Sequence, residues 1–148
     1  MAVVALCACK GEREYLDFRG LSLGMSAKAM CDSLLDRGFE LDSNLTDDRT
    51  YVLHNAEDLS RVDIVFNNDT ISDVLESYTA TYNDSTLAIY QERHKEFTDK
   101  YGWSNMRRDA DLHKEAQFQT GGKGGLLLIL HNTYYPSVSV RYSVEEIK

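Results

Sequence analysis

Hydrophobic residues follow two kinds of spacing along this chain of 148 residues. Residues 126–130 are continuously apolar, whereas apolar and polar positions alternate from residue 138 to residue 144. A continuous apolar run is typical of a buried strand, and strict alternation is typical of a strand with one face in water. We therefore predict that residues 126–144 form a hairpin around which the rest of the chain is organised.

Helical spacing occurs in two segments. The first follows Ser26, has apolar residues at positions 27, 30, 31, 34 and 35, and ends before Gly38. The second runs from Asp84 to about Tyr101 and is followed by Gly102. Ser and Asp are preferred N-cap residues, and Gly after a helix permits the left-handed conformation that ends it. These patterns predict two amphipathic helices.

Three further segments predict an antiparallel meander. Residues 50–55, 61–67 and 71–82 are rich in β-branched and aromatic residues and are separated by polar turns. With the two helices, they predict an α+β fold in which both helices pack on one face of a largely antiparallel sheet. We expect a single domain over residues 15–148, preceded by a charged tether at residues 10–14.

The chain also resembles itself at an offset of 64 positions. The residues equated in this way include Gly38 and Gly102, Val74 and Val138, and Tyr78 and Tyr142. The shared order of helix end, strand and tyrosine favours a tandem repeat of helix plus meander, with units at 26–82 and 84–144. The register fails at residues 51–53, which fall out of phase with residues 115–117.

Composition narrows the class of partner. The chain has 43% hydrophobic residues and one proline, which is typical of a folded domain. Its net charge of −8 disfavours nucleic acid as a partner, since binding to a phosphate backbone rests on clustered Lys and Arg.

The N-terminal segment indicates a cellular location. Residues 1–9 are apolar and small, and Leu6-Cys7-Ala8-Cys9 resembles a bacterial lipobox in which Cys9 would carry the lipid. A charged start is missing from this segment, so this interpretation places the true start upstream. We expect a bacterial cell-envelope location, with membrane contact only through the lipid anchor. The alternative is a cytoplasmic domain whose first strand is residues 2–8.

One short motif suggests metal chemistry. Asp109, Asp111 and His113 are spaced by two, so on one extended segment their side chains would point to the same side and begin a divalent metal site. A polar strand edge explains the same spacing without a ligand. No nucleophile motif such as GxSxG is present, and the glycines at 121–125 lack the Ser or Thr and the helix that a phosphate loop requires. We therefore predict no catalytic residue and no cofactor.

Exposed aromatics are the better indication of function. Tyr134, Tyr135 and Pro136 follow the apolar strand, and Trp103 follows the second helix. Tyrosines at a turn fixed by proline can form a contact surface for another envelope protein or a small ligand. The alternative is that these tyrosines fold back onto the core.

Two phrases resemble a known group of proteins. Residues 18–26, FRGLSLGMS, before a helix that ends in Gly-Phe, and residues 100–102, KYG, resemble segments of small uncharacterised lipoproteins or secreted proteins of Bacteroidetes-type bacteria. The layout is also similar to the tandem units of the beta-lactamase inhibitor protein and of small outer-membrane assembly lipoproteins. These proteins have no assigned reaction as a group, and the similarity of layout transfers no residue or activity. Our first hypothesis is a non-enzymatic envelope binding or assembly module that uses the exposed sheet face or the turn at residues 134–136. The alternative function is a small metal-dependent hydrolase using His113 with Asp109 and Asp111.

Overall fold

The computed structural model describes residues 13–79, 83–132 and 134–148. The predicted lipid site, Cys9, lies outside these ranges, as does most of the predicted tether. The described part of the chain contains no helix that is both long enough and apolar enough to span a membrane.

The protein has an α+β fold dominated by antiparallel sheet, as the sequence predicts. The helices are α1 (Ala27–Asp36) and α2 (Asn83–Tyr101). The strands are β1 (Asp17–Phe18), β2 (Leu21–Ser22), β3 (Glu40–Leu41), β4 (Thr50–His54), β5 (Ser60–Asn67), β6 (Thr70–Thr79), β7 (Ser104–Ala110), β8 (His113–Phe118), β9 (Gly125–His131) and β10 (Ser137–Ser143). Strands β1 and β2 form a small hairpin, and the other eight form one sheet in the order β3-β4-β5-β6-β10-β9-β8-β7.

Both predicted helices are confirmed, with one correction. The Ser26 side chain accepts a hydrogen bond from the Ala29 amide and caps α1. Helix α2 begins at Asn83, so Asp84 lies in its first turn, where a carboxylate favours the helix dipole, and is not the N-cap. Gly38 and Gly102 follow the two helices at φ 92° and 90°, the left-handed conformation that the sequence predicts there.

The predicted hairpin at 126–144 is also confirmed. Strands β9 and β10 pair in antiparallel fashion, with Leu128 opposite Val140. Because β10 pairs with β6 on its other side, this hairpin lies in the middle of the sheet. The three predicted strands of the meander correspond to β4, β5 and β6; residues 80–82, predicted as the end of the third, lie outside the described ranges.

The β7–β8 hairpin was not predicted from the sequence. Strand β7 is the edge of the sheet, and from Asn105 to Ala110 its side chains are exposed, so it has no apolar face to produce an alternating pattern. Its ladder also shifts register between Met106 and Arg108. A bulge of this kind, with charged side chains beside it, is a common way to protect a sheet edge.

Strands β8 and β9 are joined by a glycine-rich turn. The Thr120 hydroxyl donates to the Gly124 carbonyl at 2.7 Å and closes the turn. Gly124 has φ 132°, and a Cβ placed there would lie 2.1 Å from the Ser143 carbonyl oxygen. Glycine at position 124 therefore allows the turn backbone to pack closely against the backbone of β10 at Ser143.

Candidate functional site

A buried charge cluster lies at the centre of the sheet. Glu76 is on β6 with its side chain 1% exposed, between the inward-facing Val74 and Tyr78. Its Oε2 accepts from Nε of Arg19 at 3.1 Å, and its Oε1 accepts from Nη2 of Arg93 on α2 at 2.9 Å. One carboxylate thus links the β1–β2 hairpin, the sheet and α2.

Each arginine of this cluster has further hydrogen-bond partners. Arg93 also donates to the Tyr78 hydroxyl at 2.7 Å, and Arg19 donates to Oδ2 of Asp58 at 3.0 Å. Burial disfavours the charge on Arg93, but Glu76 and then Tyr78 outweigh it, so the pKa of Arg93 is raised. Because each guanidinium already has carboxylate partners, we interpret the cluster as structural: it holds the β1–β2 hairpin and α2 against the sheet. Sequence analysis missed it, although a Glu in the inward phase of β6 was a visible signal.

A groove lies between α2 and the β7–β8 hairpin and encloses about 500 Å³, within the range of ligand pockets, roughly 300–1,000 Å³. We call it the α2 groove. It is lined by Leu87, Tyr90, Gln91, His94, Lys95, Thr98 and Asp99 of α2, by Trp103, and by Met106, Asp109 and Lys114 of the hairpin. Its walls are largely apolar and its rim is charged.

Two side chains of α2 define the inner wall of the groove. The Tyr90 side chain is only 4% exposed, and its hydroxyl is buried without a hydrogen-bond partner among the described residues. Burial, and secondarily the charge of Asp109, raise the pKa of Tyr90 to about 12, so the hydroxyl remains a donor at neutral pH. His94 packs beside it, with ring centroids 5.9 Å apart.

His94 is held by hydroxyl groups. Its Nε2 lies 3.1 Å from Oγ of Ser104, and its Nδ1 lies 3.4 Å from Oγ1 of Thr98. A nucleophilic serine needs a base that a third group orients, which in the common triad is a carboxylate. Here the third position is a threonine hydroxyl, so the arrangement supplies His94 with fixed orientation and does not complete a hydrolytic triad.

The spacing of Asp109, Asp111 and His113 predicts that they lie on one extended segment. In the structure they do not. Asp109 is on β7 and His113 begins β8, with Asp111 in the turn between them. Asp109 is paired with Lys114 at 2.6 Å. Nε2 of His113 lies 2.9 Å from Oε1 of Glu115.

These contacts leave the metal hypothesis without a converging ligand set. In the described ranges, no group of three His, Cys, Asp or Glu side chains is placed to hold a metal ion. The chain reverses at this point, which is why three positions spaced by two do not share a face.

The tyrosines of the β9–β10 loop project into solvent and do not fold back onto the core. Tyr134 is 88% exposed and Tyr135 is 79% exposed, and their rings meet edge to face at 5.2 Å. Pro136 behind them is buried. The Asn132 amide donates to the Leu112 carbonyl at 2.8 Å, so the loop is attached to the β7–β8 turn. We call Leu112, Tyr134 and Tyr135 the aromatic loop surface.

Trp103 belongs to a different surface. It is 88% exposed and follows the C-terminal end of α2, whereas Thr86 near the N-terminal end bonds Oδ1 of Asn132 in the aromatic loop. With a helical rise of about 1.5 Å per residue, the two ends of this 19-residue helix are roughly 27 Å apart. Of the four predicted contact residues, Tyr134 and Tyr135 therefore lie on the aromatic loop surface, Trp103 lies at the α2 groove, and Pro136 is buried and offers no contact surface.

No protein family, curated protein or solved structure matches this chain.

Proposed function

We propose that the protein is a non-enzymatic binding or assembly module of the bacterial cell envelope, and that its aromatic loop surface contacts a protein partner. The observation that carries this proposal is the exposure of Tyr134 and Tyr135 on a loop with a buried proline. Tyrosine is enriched at protein interfaces because it combines a large apolar body with a polar tip. Leu112, also exposed, adds apolar area beside it.

The attachment of the loop adds to this argument. Both ends of the loop continue into paired strands, and Asn132 is bonded to the β7–β8 turn. A contact surface that is ordered before binding loses less conformational entropy when the partner arrives. Aromatic residues in such surfaces commonly supply a large part of the binding free energy.

Photo-crosslinking tests this contact directly. Tyr134 is replaced by the photoreactive analogue p-benzoylphenylalanine, which keeps an aromatic ring at the position, and cells producing the variant are irradiated. We expect one discrete crosslinked protein that is reduced by Tyr135→Ala in the same chain. The partner is then purified and titrated against the wild type and Tyr134→Ala, with a loss of affinity of about tenfold or more expected for a central aromatic contact.

A matched position keeps this experiment specific. Leu45 is an exposed apolar residue in the β3–β4 connection, outside the aromatic loop surface. The same analogue at Leu45 should give no such product. Identical products from positions 45 and 134, or no product from position 134, would remove the aromatic loop surface as the contact.

The envelope location is proposed from Cys9 and has its own test. If Cys9 carries lipid, cells fed a clickable fatty acid will label the protein, and Cys9→Ala will abolish the label and move the protein from the membrane to the soluble fraction. Cys7→Ala, two residues away, is the matched control and should keep both properties. Unlabelled wild-type protein would contradict the proposed lipid anchor. It would have no bearing on the proposed contact at the aromatic loop surface.

We also propose that both helices cover one face of the sheet. In support, α1 contacts β5 while α2 contacts β8, β9 and β10. Ile64 of β5 and Leu128 of β9 belong to one core cluster with buried residues of both helices. An experimental structure with the helices on opposite faces would contradict this arrangement.

A tandem duplication remains our proposal for the origin of the two halves. Its support is the order of the sheet, in which β3-β4-β5-β6 is followed by the reversed series β10-β9-β8-β7. At the junction, Glu76 pairs with Val140, the position 64 residues further along the chain. An experimental structure in which the two halves do not superimpose in the register that equates Glu76 with Val140 would contradict duplication.

A further inference from the structure

We propose that the α2 groove binds an uncharged, planar aromatic molecule carrying one hydrogen-bond acceptor, and that the Tyr90 hydroxyl donates to this acceptor. The site is distinct from the aromatic loop surface, so the inference goes beyond the protein contact proposed above. It rests on the one groove side chain whose buried polar atom has no partner in the described ranges.

The unpaired hydroxyl is the observation that points to a ligand. Most buried polar groups in folded proteins have a hydrogen-bond partner. Leaving a buried donor unpaired costs about 1–3 kcal/mol. The Tyr90 hydroxyl carries that cost in the free protein, and an acceptor supplied by a bound molecule would relieve it.

Gln91 is exposed at the mouth of the groove, and the other polar side chains of α2 and the hairpin that line it are already engaged. His94 is held by Ser104 and Thr98. On the rim, Lys95 pairs with Asp99 at 3.2 Å and Lys114 pairs with Asp109 at 2.6 Å. A ligand with a single acceptor therefore matches the hydrogen-bonding capacity that Tyr90 leaves open.

The walls favour a planar apolar body. Leu87 and Met106 provide aliphatic and thioether surface, and the exposed ring of Trp103 stands at one end. Aromatic rings pack well against tryptophan faces and against methionine sulfur. A volume of about 500 Å³ admits one or two fused or substituted rings.

The charges favour a neutral ligand over an ion. Each ion pair on the rim sets one positive charge against one negative charge, so the rim gives an anion no net attraction, while the chain as a whole carries −8. The Asp109–Lys114 ion pair lines the same groove as Tyr90. Because a partly exposed ion pair is worth about 0–1 kcal/mol, this part of the rim can open to admit the acceptor.

The single tryptophan gives the experiment a local signal. The chain contains one Trp, so the indole N–H of Trp103 gives one resonance in a ¹⁵N-labelled sample. We would titrate the full chain with acetophenone, which is neutral, planar and carries one carbonyl acceptor. Ethylbenzene has a similar shape without the acceptor, and benzoate replaces the neutral carbonyl with a charged carboxylate.

We expect a saturable shift of the Trp103 signal with acetophenone and weaker binding of both other probes. Tyr90→Phe should weaken acetophenone binding by about three- to tenfold, the value of one neutral hydrogen bond, and leave ethylbenzene binding unchanged. Tyr51→Phe, a tyrosine stacked on Phe66 outside the groove, is the matched control and should bind as the wild type does.

Three results would overturn the inference. They are the absence of a saturable shift with acetophenone, equal acetophenone affinity in the wild type and Tyr90→Phe, and tighter binding of benzoate than of acetophenone. None of these results depends on the aromatic loop surface. The crosslinking experiment at position 134 therefore tests the proposed protein contact independently of the groove.

Discussion

Arg93 on α2 donates to a carboxylate at the centre of the sheet, with its Nη2 2.9 Å from Oε1 of Glu76. The carboxylate is 1% exposed and also accepts from Arg19 in the β1–β2 hairpin. Three segments that are distant in the sequence therefore meet at one buried charge. Removing that charge would leave two guanidinium groups without their common partner.

Glu76→Ala should destabilise the protein strongly. Breaking a fully buried ion pair by removing one partner costs about 3–5 kcal/mol. Here Arg19 keeps Asp58 and Arg93 keeps Glu96, and both guanidinium groups are partly exposed, so about 2–3 kcal/mol is the expected cost. We expect a loss of this size in the free energy of unfolding, measured by urea denaturation at neutral pH. Glu76→Gln, which keeps the volume and one acceptor oxygen, should lose less than the alanine variant.

Glu96→Ala is the control for this prediction. Glu96 accepts from the same guanidinium of Arg93 at 3.0 Å but lies on the exposed side of α2. An exposed pair is worth about 0–1 kcal/mol. Equal losses for Glu76→Ala and Glu96→Ala would show that burial of the cluster does not set its contribution.

Gly124→Ala should be far more damaging than Gly122→Ala. Both glycines have positive φ, but a Cβ at Gly122 meets open space, whereas one at Gly124 would lie 2.1 Å from the Ser143 carbonyl oxygen. We expect a loss of about 1 kcal/mol for Gly122→Ala from backbone strain. For Gly124→Ala, where backbone must move, we expect more than about 2 kcal/mol. Thermal unfolding followed by circular dichroism measures both, and similar losses would contradict the packing of the β8–β9 turn against β10.

Tyr90→Phe should leave stability unchanged or raise it by up to about 1 kcal/mol at neutral pH. The substitution removes a buried hydroxyl that has no partner in the described ranges, and with it the cost of desolvating that group. Urea denaturation of the wild type and the variant measures the difference. A loss of more than about 1 kcal/mol would mean that the hydroxyl has an acceptor in the free protein and would weaken the ligand inference.

We also expect the stability of the wild type and of Tyr90→Phe to depend differently on pH in alkaline solution. Burial and then Asp109 raise the pKa of Tyr90 to about 12 in the folded state, against about 10 in an unfolded chain. Between these values the unfolded state has lost the proton that the folded state keeps, so stability falls as pH rises. The contribution is complete below about pH 10 and is lost by about pH 12, at about 1.4 kcal/mol per unit. Tyr90→Phe should show a shallower decline over this window in urea denaturation at pH 9 to 12.

The regular elements could be predicted where burial imposes a period on the sequence. Ser26 and Gly38 mark the limits of α1, and the β9–β10 hairpin follows from one continuous and one alternating run. The edge strand β7 could not, because most of its side chains face solvent and leave no apolar phase. The metal hypothesis fails for a related reason: the sequence gives no clear signal for the turn between Asp109 and His113, so their spacing alone predicts one continuous strand.

The candidate site was predictable only in part. Tyr134, Tyr135 and Trp103 were identified because large aromatics near turns are visible in a sequence. The α2 groove was not, since it depends on the distance between a helix and a hairpin that was itself missed. The unpaired hydroxyl of Tyr90 is a property of three-dimensional surroundings, and in the sequence Tyr90 is only one member of an amphipathic stripe.

The position of β10 has a consequence for biosynthesis. This strand is the last one along the described part of the chain to emerge during synthesis or export, yet it lies in the interior of the sheet between β6 and β9. Until it emerges, β6 and β9 each present an unpaired edge, and the apolar side chains of β9 lack the neighbours that cover them. Before β10 pairs, the chain therefore passes through an aggregation-prone interval, in whichever compartment it folds. A variant truncated before Ser137 should remain in that state and aggregate more than the full chain, measured by light scattering during refolding from urea.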